Sequence, residues 1–350
     1  MKIYTGLWFV LLILVVQPAF AQTEALPRGE RILCIDLNEA QGVDYQEAFD
    51  LALSVGNQNV NLSFDWRDLE ATPGTIASDI FPIINLFYPV YDMPVSLFIR
   101  PISTGLKVVP ADLVDVAFDE PQMIARFEAI VDYVFAQTPD TSVTTLIIGS
   151  EIDAYLGSDA RLWAQYTTFF REIRDYIKAD HPDVLVATEG LFVGMTGDAR
   201  RYFDEIQQYA DVVGVSYYPT QPDFSVRAPD AVHEDFARLV ELYGAKPIHI
   251  FQLGYPSSEV LNSSEEMQAQ FVREVFAAWD EQAAHILFIK FTWMHDISPE
   301  TLAGFEAYYS YSAEEFVAFL STLGLRTYEG EDKLAWTALQ EEAQARGWGT

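Results

Sequence analysis

One stretch decides how this chain folds: Thr144-Thr145-Leu146-Ile147-Ile148-Gly149-Ser150-Glu151-Ile152-Asp153. Its β-branched and apolar residues stop abruptly at a small residue and a carboxylate. This pattern predicts a buried strand that delivers Glu151 to its C-terminal tip. Glu151 could also be a carboxylate that merely caps or pairs at the start of the next helix. The same pattern recurs along the chain, which favours a functional role on a face that the strand ends share.

Seven further apolar segments have the same form, and amphipathic helical segments separate them. We predict strands over residues 32–36, 59–64, 94–99, 144–149, 184–188, 211–216, 247–251 and 285–291. Such an alternation indicates a parallel sheet that is covered on its outside. Eight units predict an α/β fold, a single (β/α)8 TIM barrel with a closing helix over 313–323 and a C-terminal helical extension over 331–348. No Gly-x-Gly-x-x-Gly turn follows the first strand, which argues against a dinucleotide-binding fold.

The first residues predict export from the cell. Lys2 precedes an apolar segment over residues 7–16, and Ala19-Phe20-Ala21 is a small-x-small cleavage motif. We therefore expect a signal peptide over 1–21 and one mature domain over 22–350. An uncleaved anchor is the alternative. No later apolar stretch of the sequence is long enough to span a bilayer, so we expect a secreted or periplasmic protein without membrane contact after cleavage.

Charge and cysteine content narrow the possible partners. The formal net charge is −31, which argues against nucleic acid, anionic membranes and anionic polysaccharides as partners. The single cysteine, Cys34, lies in an apolar strand and is expected to be a small buried hydrophobe. The five histidines are scattered, so we predict no metal site and no cofactor. The sequence does not indicate an oligomeric state.

Polar and aromatic residues follow the predicted strands, at the end of the barrel where active sites are built. The candidate site residues are Asp36, Trp66, Arg100, Ser150, Glu151, Glu189, Tyr217, Tyr218, Gln252, Trp293, His295 and Asp296. Aromatic faces stack on pyranose rings, carboxylates and Arg bind hydroxyls, and a carboxylic acid can protonate a glycosidic oxygen. The set therefore predicts a site for an oligo- or polysaccharide. For Trp66, packing within its own loop is the favoured alternative.

Three motifs resemble those of the retaining glycoside hydrolases with a (β/α)8 barrel, a clan that includes endo-galactanases, endo-mannanases and cellulases. Residues 66–74 look like the Trp-x-x-Ile/Leu-Glu-Pro-x-Pro-Gly segment after their second strand. Gly149-Ser150-Glu151 resembles the Gly-Asn-Glu that ends their fourth strand, and residues 252–256 are similar to their Glu-x-Gly-Tyr/Trp-Pro at the seventh. The resemblance covers most of the mature chain, and it implies the barrel and an acid/base role for Glu151.

The same resemblance extends to the aromatic strand ends. Trp293 matches the eighth-strand Trp that floors the sugar subsite, and Tyr217 or Tyr218 matches the sixth-strand Tyr that orients the nucleophile. Two positions depart from the pattern: Ser150 replaces an Asn that contacts the sugar, and Gln252 replaces the nucleophilic Glu. A neutral amide cannot form the glycosyl-enzyme intermediate of a retaining mechanism.

Two functional hypotheses follow from these residues. The first is a secreted glycoside hydrolase-like protein that acts on neutral β-linked saccharides. In it Glu151 is the general acid, and Glu189 or the substrate itself replaces the missing nucleophile. The second is a catalytically inactive barrel that binds saccharide, which Gln252 favours. A purely structural secreted protein is a third reading, and the many acidic and aromatic strand ends argue against it.

Overall fold

The computed structural model describes residues 25–349. The predicted signal peptide over 1–21 lies outside the described residues, and so does Thr350. The export signal therefore stays a prediction. Between residues 25 and 349, no helix is long and apolar enough to cross a membrane.

Parallel strands form the centre of the molecule. They are β1 (Ile32–Ile35), β2 (Val60–Asp65), β3 (Val95–Ser103), β5 (Val143–Ser150), β6 (Leu185–Ala187), β7 (Glu189–Leu191), β8 (Val213–Tyr217), β9 (Ile248–Leu253) and β10 (Ile286–Phe291), with the short β4 (Leu106–Lys107) antiparallel to β3. The hydrogen-bonded order is β1-β10-β9-β8-β7 in one sheet and β2-β3-β5-β6 in the other.

The two sheets meet at two seams and together make an eight-stranded barrel. At one seam only Thr188 separates β6 from β7, so these two segments are one barrel strand. At the other, the Gln58 N–H donates to the Leu33 carbonyl at 3.0 Å, and Cys34 Sγ lies 3.1 Å from the Asn59 carbonyl. The predicted (β/α)8 barrel is confirmed.

Helices surround the barrel. They are α1 (Tyr45–Ser54), α2 (Trp66–Leu69), α3 (Ile80–Phe87), α4 (Pro121–Gln137), α5 (Asp153–Leu156), α6 (Ala160–Asp180), α7 (Phe192–Thr196), α8 (Arg200–Ile206), α9 (Ala231–Tyr243), α10 (Glu265–Glu281), α11 (Pro299–Tyr309), α12 (Glu314–Ser321) and α13 (Leu334–Ala345). Most buried apolar side chains lie between the strands and these helices, and a smaller cluster that includes Cys34, Phe98 and Phe251 fills the barrel interior. Cys34 is buried, as expected. The interior is thus a packed core that supports the strand ends from below.

The C-terminal extension closes the outside of the barrel. Trp348, beyond α13, stacks on Trp279 of α10 with ring centroids 4.9 Å apart. The Arg31 guanidinium lies 5.0 Å from the Trp279 ring and forms an ion pair with Asp280 at 2.7 Å. These contacts tie the two ends of the described chain to the same helix.

The largest difference from the sequence-based prediction follows β10. The sequence predicts one closing helix there, over 313–323, whereas the structure has two helices, α11 and α12. None of the residues of α11, all of which are described, has a buried side chain. Its apolar residues pack only partly, against the separate cluster of Ile297, Phe316 and Leu320. A helix that lies outside the main core has a weaker sequence pattern than one that covers a sheet.

Candidate active site

Glu151 follows β5 directly and lies at the mouth, by which we mean the C-terminal end of the barrel strands. Its backbone is left-handed (φ 49°), a conformation that is costly for Glu and that clusters at functional sites. Its Oε2 accepts a hydrogen bond from the Thr104 hydroxyl and its Oε1 one from the Ser216 hydroxyl, each at 2.7 Å. The carboxyl group is partly exposed, and hydroxyls rather than a cation hold it.

Gly149 makes the turn before Glu151 possible. Its φ is 78°, and a Cβ at this position would lie 2.4 Å from the Tyr166 hydroxyl. Only glycine satisfies both constraints. The Gly149-Ser150-Glu151 motif is thus explained by backbone geometry as well as by chemistry.

Glu189 is the second carboxylate of the mouth. It begins β7 and is 0% exposed, and the strand continues to Leu191 instead of ending at residue 188 as predicted. Its Oε2 accepts from the Ser150 hydroxyl at 2.7 Å and from Gln252 Nε2 at 2.8 Å, and its Oε1 is buried without a protein partner in the described chain. Burial, and then the charge of Glu151, raise the pKa of Glu189 to about 7.

Gln252 lies in β9, and its hydrogen bonds connect this strand to Ser150 of β5 and to Glu189 of β7. Besides its bond to Glu189, its Nε2 donates to Ser150 Oγ at 3.1 Å, and its Oε1 accepts from the Tyr218 hydroxyl at 3.3 Å. Ser216, which holds Glu151, is the direct cross-strand partner of Gln252. Glu151 and Gln252 therefore share one end of the barrel, as the sequence predicts.

The two predicted tyrosines face opposite sides of the barrel wall. Tyr218 turns inward to Gln252, and burial raises the pKa of Tyr218 well above its usual value. Tyr217 turns outward, where its hydroxyl donates to Asp235 at 2.8 Å and its ring packs on Phe236. The prediction of a sugar contact at Tyr217 is therefore corrected, since adjacent strand residues point to opposite faces.

Two ion pairs line the other side of the mouth. Lys290 Nζ lies 2.9 Å from Asp36 Oδ2. Arg100, within β3, places Nη2 at 2.7 Å from Asp65 Oδ1, and the Tyr308 hydroxyl of α11 donates to Asp65 Oδ2 at 2.8 Å. Asp36 and Arg100 thus lie at the predicted end of the barrel, each already engaged by a partner.

Trp293 follows β10 and is only partly buried. Phe305 of α11 stacks on it with centroids 5.7 Å apart, and Tyr309 stacks on Phe305 at 6.3 Å. The Tyr309 hydroxyl lies 3.5 Å from Thr104, which in turn holds Glu151. An aromatic row from α11 therefore extends from the predicted sugar platform toward the acid.

Three other predicted contacts are corrected by their surroundings. Trp66 is fully buried, and its Nε1 donates to Glu70 at 2.9 Å, so it packs the second loop. His295 is also fully buried, with Nδ1 2.9 Å from the Asn38 carbonyl. Asp296 forms an ion pair with Lys333 at 2.7 Å and ties the C-terminal extension to the barrel, although burial raises its pKa to about 6.

Sequence reasoning missed the residues that hold Glu151. Thr104 lies in the turn between β3 and β4, and Ser216 precedes the tyrosine pair in β8. The sequence contains one hint of Ser216, since it is a short hydroxyl residue directly before Tyr217 at a strand end. Thr104 has no sequence feature that distinguishes it from other Thr residues in loops. Across residues 25–349, no group of three or more His, Cys, Asp or Glu side chains is arranged to hold a metal ion.

Comparisons with known proteins give structural matches only. No protein-family profile matches the chain, and no curated protein matches it by sequence. A GH5_18 structure from Bifidobacterium longum subsp. infantis matches with a TM-score of 0.69 and 13% identity, over 90% of this chain and 78% of that one. A GH5_18 structure from Streptomyces cattleya in complex with Manβ1-4GlcNAc matches with a TM-score of 0.71 and 14% identity, over 91% and 82%.

A third match is an exo-β-1,4-mannosidase from Opitutaceae bacterium strain TAV5, with a TM-score of 0.70 and 17% identity. It covers 92% of this chain but only 61% of the mannosidase. At these identities the likeness establishes the fold. The chain therefore folds as a (β/α)8 barrel similar to the barrels of these structures, which is the fold that the sequence predicts.

Proposed function

We propose that the protein is a secreted hydrolase of neutral β-linked saccharides, with Glu151 as its general acid. The observation that carries this proposal is the setting of Glu151. Its carboxyl group follows a central strand, is partly exposed at the mouth, and is held at both oxygens by hydroxyl donors. A general acid needs a proton that can leave toward a bound leaving group, and an ion pair would hinder this.

The surroundings of Glu151 support a saccharide as the bound molecule. Trp293 offers a partly exposed aromatic ring, and Gln252 and Tyr218 offer polar groups at neighbouring strand ends. One matched structure is an exo-β-1,4-mannosidase, and another is a GH5_18 protein in complex with Manβ1-4GlcNAc. The formal net charge of −31 favours neutral over anionic saccharides.

In this proposal Glu189 belongs to the site as the partner of Gln252. Its full burial and the two donors on Oε2 leave it unable to reach a sugar without rearrangement. The residue at the usual place of the nucleophile, Gln252, favours a second candidate function, in which the same mouth binds saccharide without hydrolysing it.

One experiment separates these two functions. The purified protein is incubated with a panel of neutral β-linked oligo- and polysaccharides, and reducing-end release and binding are both measured. Hydrolysis that disappears in Glu151→Gln but persists in Glu205→Gln, which changes an exposed carboxylate of α8, supports the hydrolase. Binding without release by the wild-type protein supports the second function and contradicts the first. Export is tested separately, by N-terminal sequencing of the exported protein, which we expect to start at Gln22.

A further inference from the structure

Within the described residues, the chain offers no free group beside Glu151 to attack an anomeric carbon. Gln252 has a neutral amide, which cannot form a glycosyl ester. Glu189 is 0% exposed, and its Oε2 already accepts two hydrogen bonds. Burial raises the pKa of Tyr218 well above its ordinary value, so its hydroxyl keeps its proton.

The remaining carboxylates of the mouth are engaged by cations. Asp36 pairs with Lys290 at 2.9 Å, and Asp65 pairs with Arg100 at 2.7 Å. A cation competes with a proton for the lone pairs of the carboxylate. Neither group is therefore suited to activate a water molecule for attack.

The side-chain amide of Gln252 has one orientation. Ser150 Oγ gives its single hydrogen to Glu189 Oε2 at 2.7 Å, so it can only accept from Gln252, at 3.1 Å. Gln252 must therefore turn Nε2 toward these two residues. Its Oε1 is left as the acceptor for a ligand, with the Tyr218 hydroxyl at 3.3 Å. The carboxyl group of Glu189 polarises the amide and strengthens Oε1 as an acceptor.

We propose that the substrate supplies its own nucleophile: the protein hydrolyses β-linked 2-acetamido-2-deoxyhexosides, and Gln252 Oε1 accepts the acetamido N–H. This inference rests on the proposed hydrolase function and names its substrate class. A hexoside with a plain 2-hydroxyl has no carbonyl oxygen to attack C1, so at this site it lacks any nucleophile. The acetamido group supplies the attacking oxygen, and its N–H is the donor that matches Gln252.

The chemistry balances without a nucleophile from the protein. In the first step the acetamido carbonyl oxygen bonds to C1, the bond from C1 to the leaving oxygen breaks, and Glu151 protonates that oxygen. The resulting oxazolinium carries its positive charge next to the N–H that Gln252 accepts. In the second step water attacks C1, Glu151 takes its proton, and the ring opens to restore the acetamido group. Two displacements at C1 leave the β-configuration unchanged.

Matched substrate pairs test this inference on the wild-type protein. Each pair of 4-nitrophenyl β-glycosides differs only at C2, N-acetylglucosaminide against glucoside and N-acetylgalactosaminide against galactoside, and the corresponding disaccharides are included. We expect kcat/KM to be at least about 100-fold higher for an acetamido member, because an intramolecular nucleophile has a very high effective concentration. We also expect the first product, followed by NMR, to be the β-anomer, and kcat to fall stepwise as the acetyl group is fluorinated.

A binding measurement adds a readout other than turnover. A thiazoline fused to N-acetylglucosamine mimics the bicyclic intermediate, and we expect it to raise the Tm of the wild-type protein more than N-acetylglucosamine does. In Gln252→Met, which keeps the length of the side chain and removes the acceptor, this difference should disappear.

The possible results have distinct meanings. Equal turnover of the 2-hydroxyl members, or an α-configured first product, overturns this inference and leaves the hydrolase function standing. No turnover of any pair overturns this inference, whereas the hydrolase function falls only if the whole panel of neutral β-linked saccharides is left uncleaved. A thiazoline that stabilises the wild-type protein and Gln252→Met equally contradicts the role given to Gln252.

Discussion

The floor and the roof of the mouth are built in different ways. The floor is the cluster of Ser150, Glu151, Glu189 and Gln252, which hydrogen bonds of 2.7 to 3.1 Å connect to one another and to neighbouring strands. The roof is α11, which has no buried side chain among its residues, all of them described. Its aromatic side chains stack in line with Trp293 instead of entering the main core.

This difference suggests separate roles for the two regions, with the reacting groups in the floor and the control of substrate entry in the roof. The floor residues lie at or next to the C-terminal ends of strands whose side chains form a packed core. The positions of their polar groups are therefore fixed relative to one another. The roof is attached through stacked rings and through single hydroxyls such as that of Tyr308. Under the proposed function, a saccharide would pass between the two to reach Glu151. We therefore expect changes in the floor to act on turnover and changes in the roof to act on substrate affinity.

The largest effect is expected from the floor residue Glu151. If the protein hydrolyses saccharides, Glu151→Gln should lower kcat by roughly 10²–10⁴-fold, since it removes the general acid. The Tm should change little, because the amide keeps the shape of the carboxyl group at a partly exposed position. A folded Glu151→Gln protein that turns over as fast as the wild type would remove Glu151 from the mechanism, and Glu205→Gln on α8 is the matched control.

A second floor prediction concerns stability against pH. The pKa of Glu189 is raised from 4.5 to about 7, so the folded protein binds more protons than the unfolded chain between these values. Its contribution is therefore fully present below about pH 4.5 and is lost as the pH rises through 7, a decrease of roughly 3 kcal/mol. Glu189→Gln removes this titration.

Thermal unfolding from pH 4 to 8 measures the effect. Asp153 and Asp296, whose pKa values burial raises to about 7 and about 6, contribute in the same direction in both proteins. The difference between the wild type and Glu189→Gln thus isolates Glu189. Two parallel curves of Tm against pH would show that Glu189 does not titrate in this window.

For the roof, we expect Phe305→Ala to raise KM and to leave kcat nearly unchanged. The substitution removes a ring that stacks on both Trp293 and Tyr309, and each aromatic pair is worth about 0.5–1.5 kcal/mol. Steady-state kinetics on the best substrate of the panel measure the two constants separately. A fall in kcat with an unchanged KM would mean that the roof takes part in the chemical step and not in substrate affinity.

The smallest effects are expected from Tyr217, the last residue of β8, and Tyr218, which follows it, and the two make a matched pair. Tyr217→Phe removes a hydrogen bond to Asp235 outside the barrel and should cost about 1 kcal/mol of stability with no change in turnover. Tyr218→Phe removes the hydroxyl from Gln252 and should alter turnover more than stability. Urea unfolding and kinetics on both variants decide the assignment, and the opposite result would restore Tyr217 as the site residue.

The sequence predicts the barrel and the place of Glu151 because strand periodicity and the strand-end motifs are local signals. It does not predict which of Tyr217 and Tyr218 faces inward, since a shift of one residue exchanges the two faces. It places Glu189 at a strand tip because the apolar run stops at residue 188, whereas the backbone continues as a strand and buries the carboxyl group. These choices depend on contacts between distant segments.

The same limit applies to the residues after β10. His295 and Asp296 follow a strand end, as site residues do, yet they turn toward Asn38 and Lys333. Neither partner is near in sequence. The roof helix α11 was missed for a related reason, since its apolar residues face a partly open mouth and not a continuous core.

The structure also bears on the substitution Gln252→Glu. Gln and Glu have nearly the same shape, so shape alone would allow this change without repacking. Gln252 Nε2, however, lies 2.8 Å from Glu189 Oε2, so a second carboxyl group there would bring two acceptors together. One of them must then take up a proton, and the single variant should be less stable than the wild type at neutral pH.

The carboxyl group of Glu189 lies on β7 and the amide of Gln252 on β9, whereas the retaining hydrolases that the sequence resembles have a carboxylate at the position of Gln252. The double change Glu189→Gln with Gln252→Glu exchanges the two groups and can keep the hydrogen bond between them. The direct measurement is turnover of 2-hydroxyl β-glycosides by this double variant, with the configuration of the first product determined by NMR. We expect that hydrolysis appears, or rises above that of the wild type, with the β-configuration retained. A double variant that folds, still binds saccharide and shows no gain in turnover would contradict it.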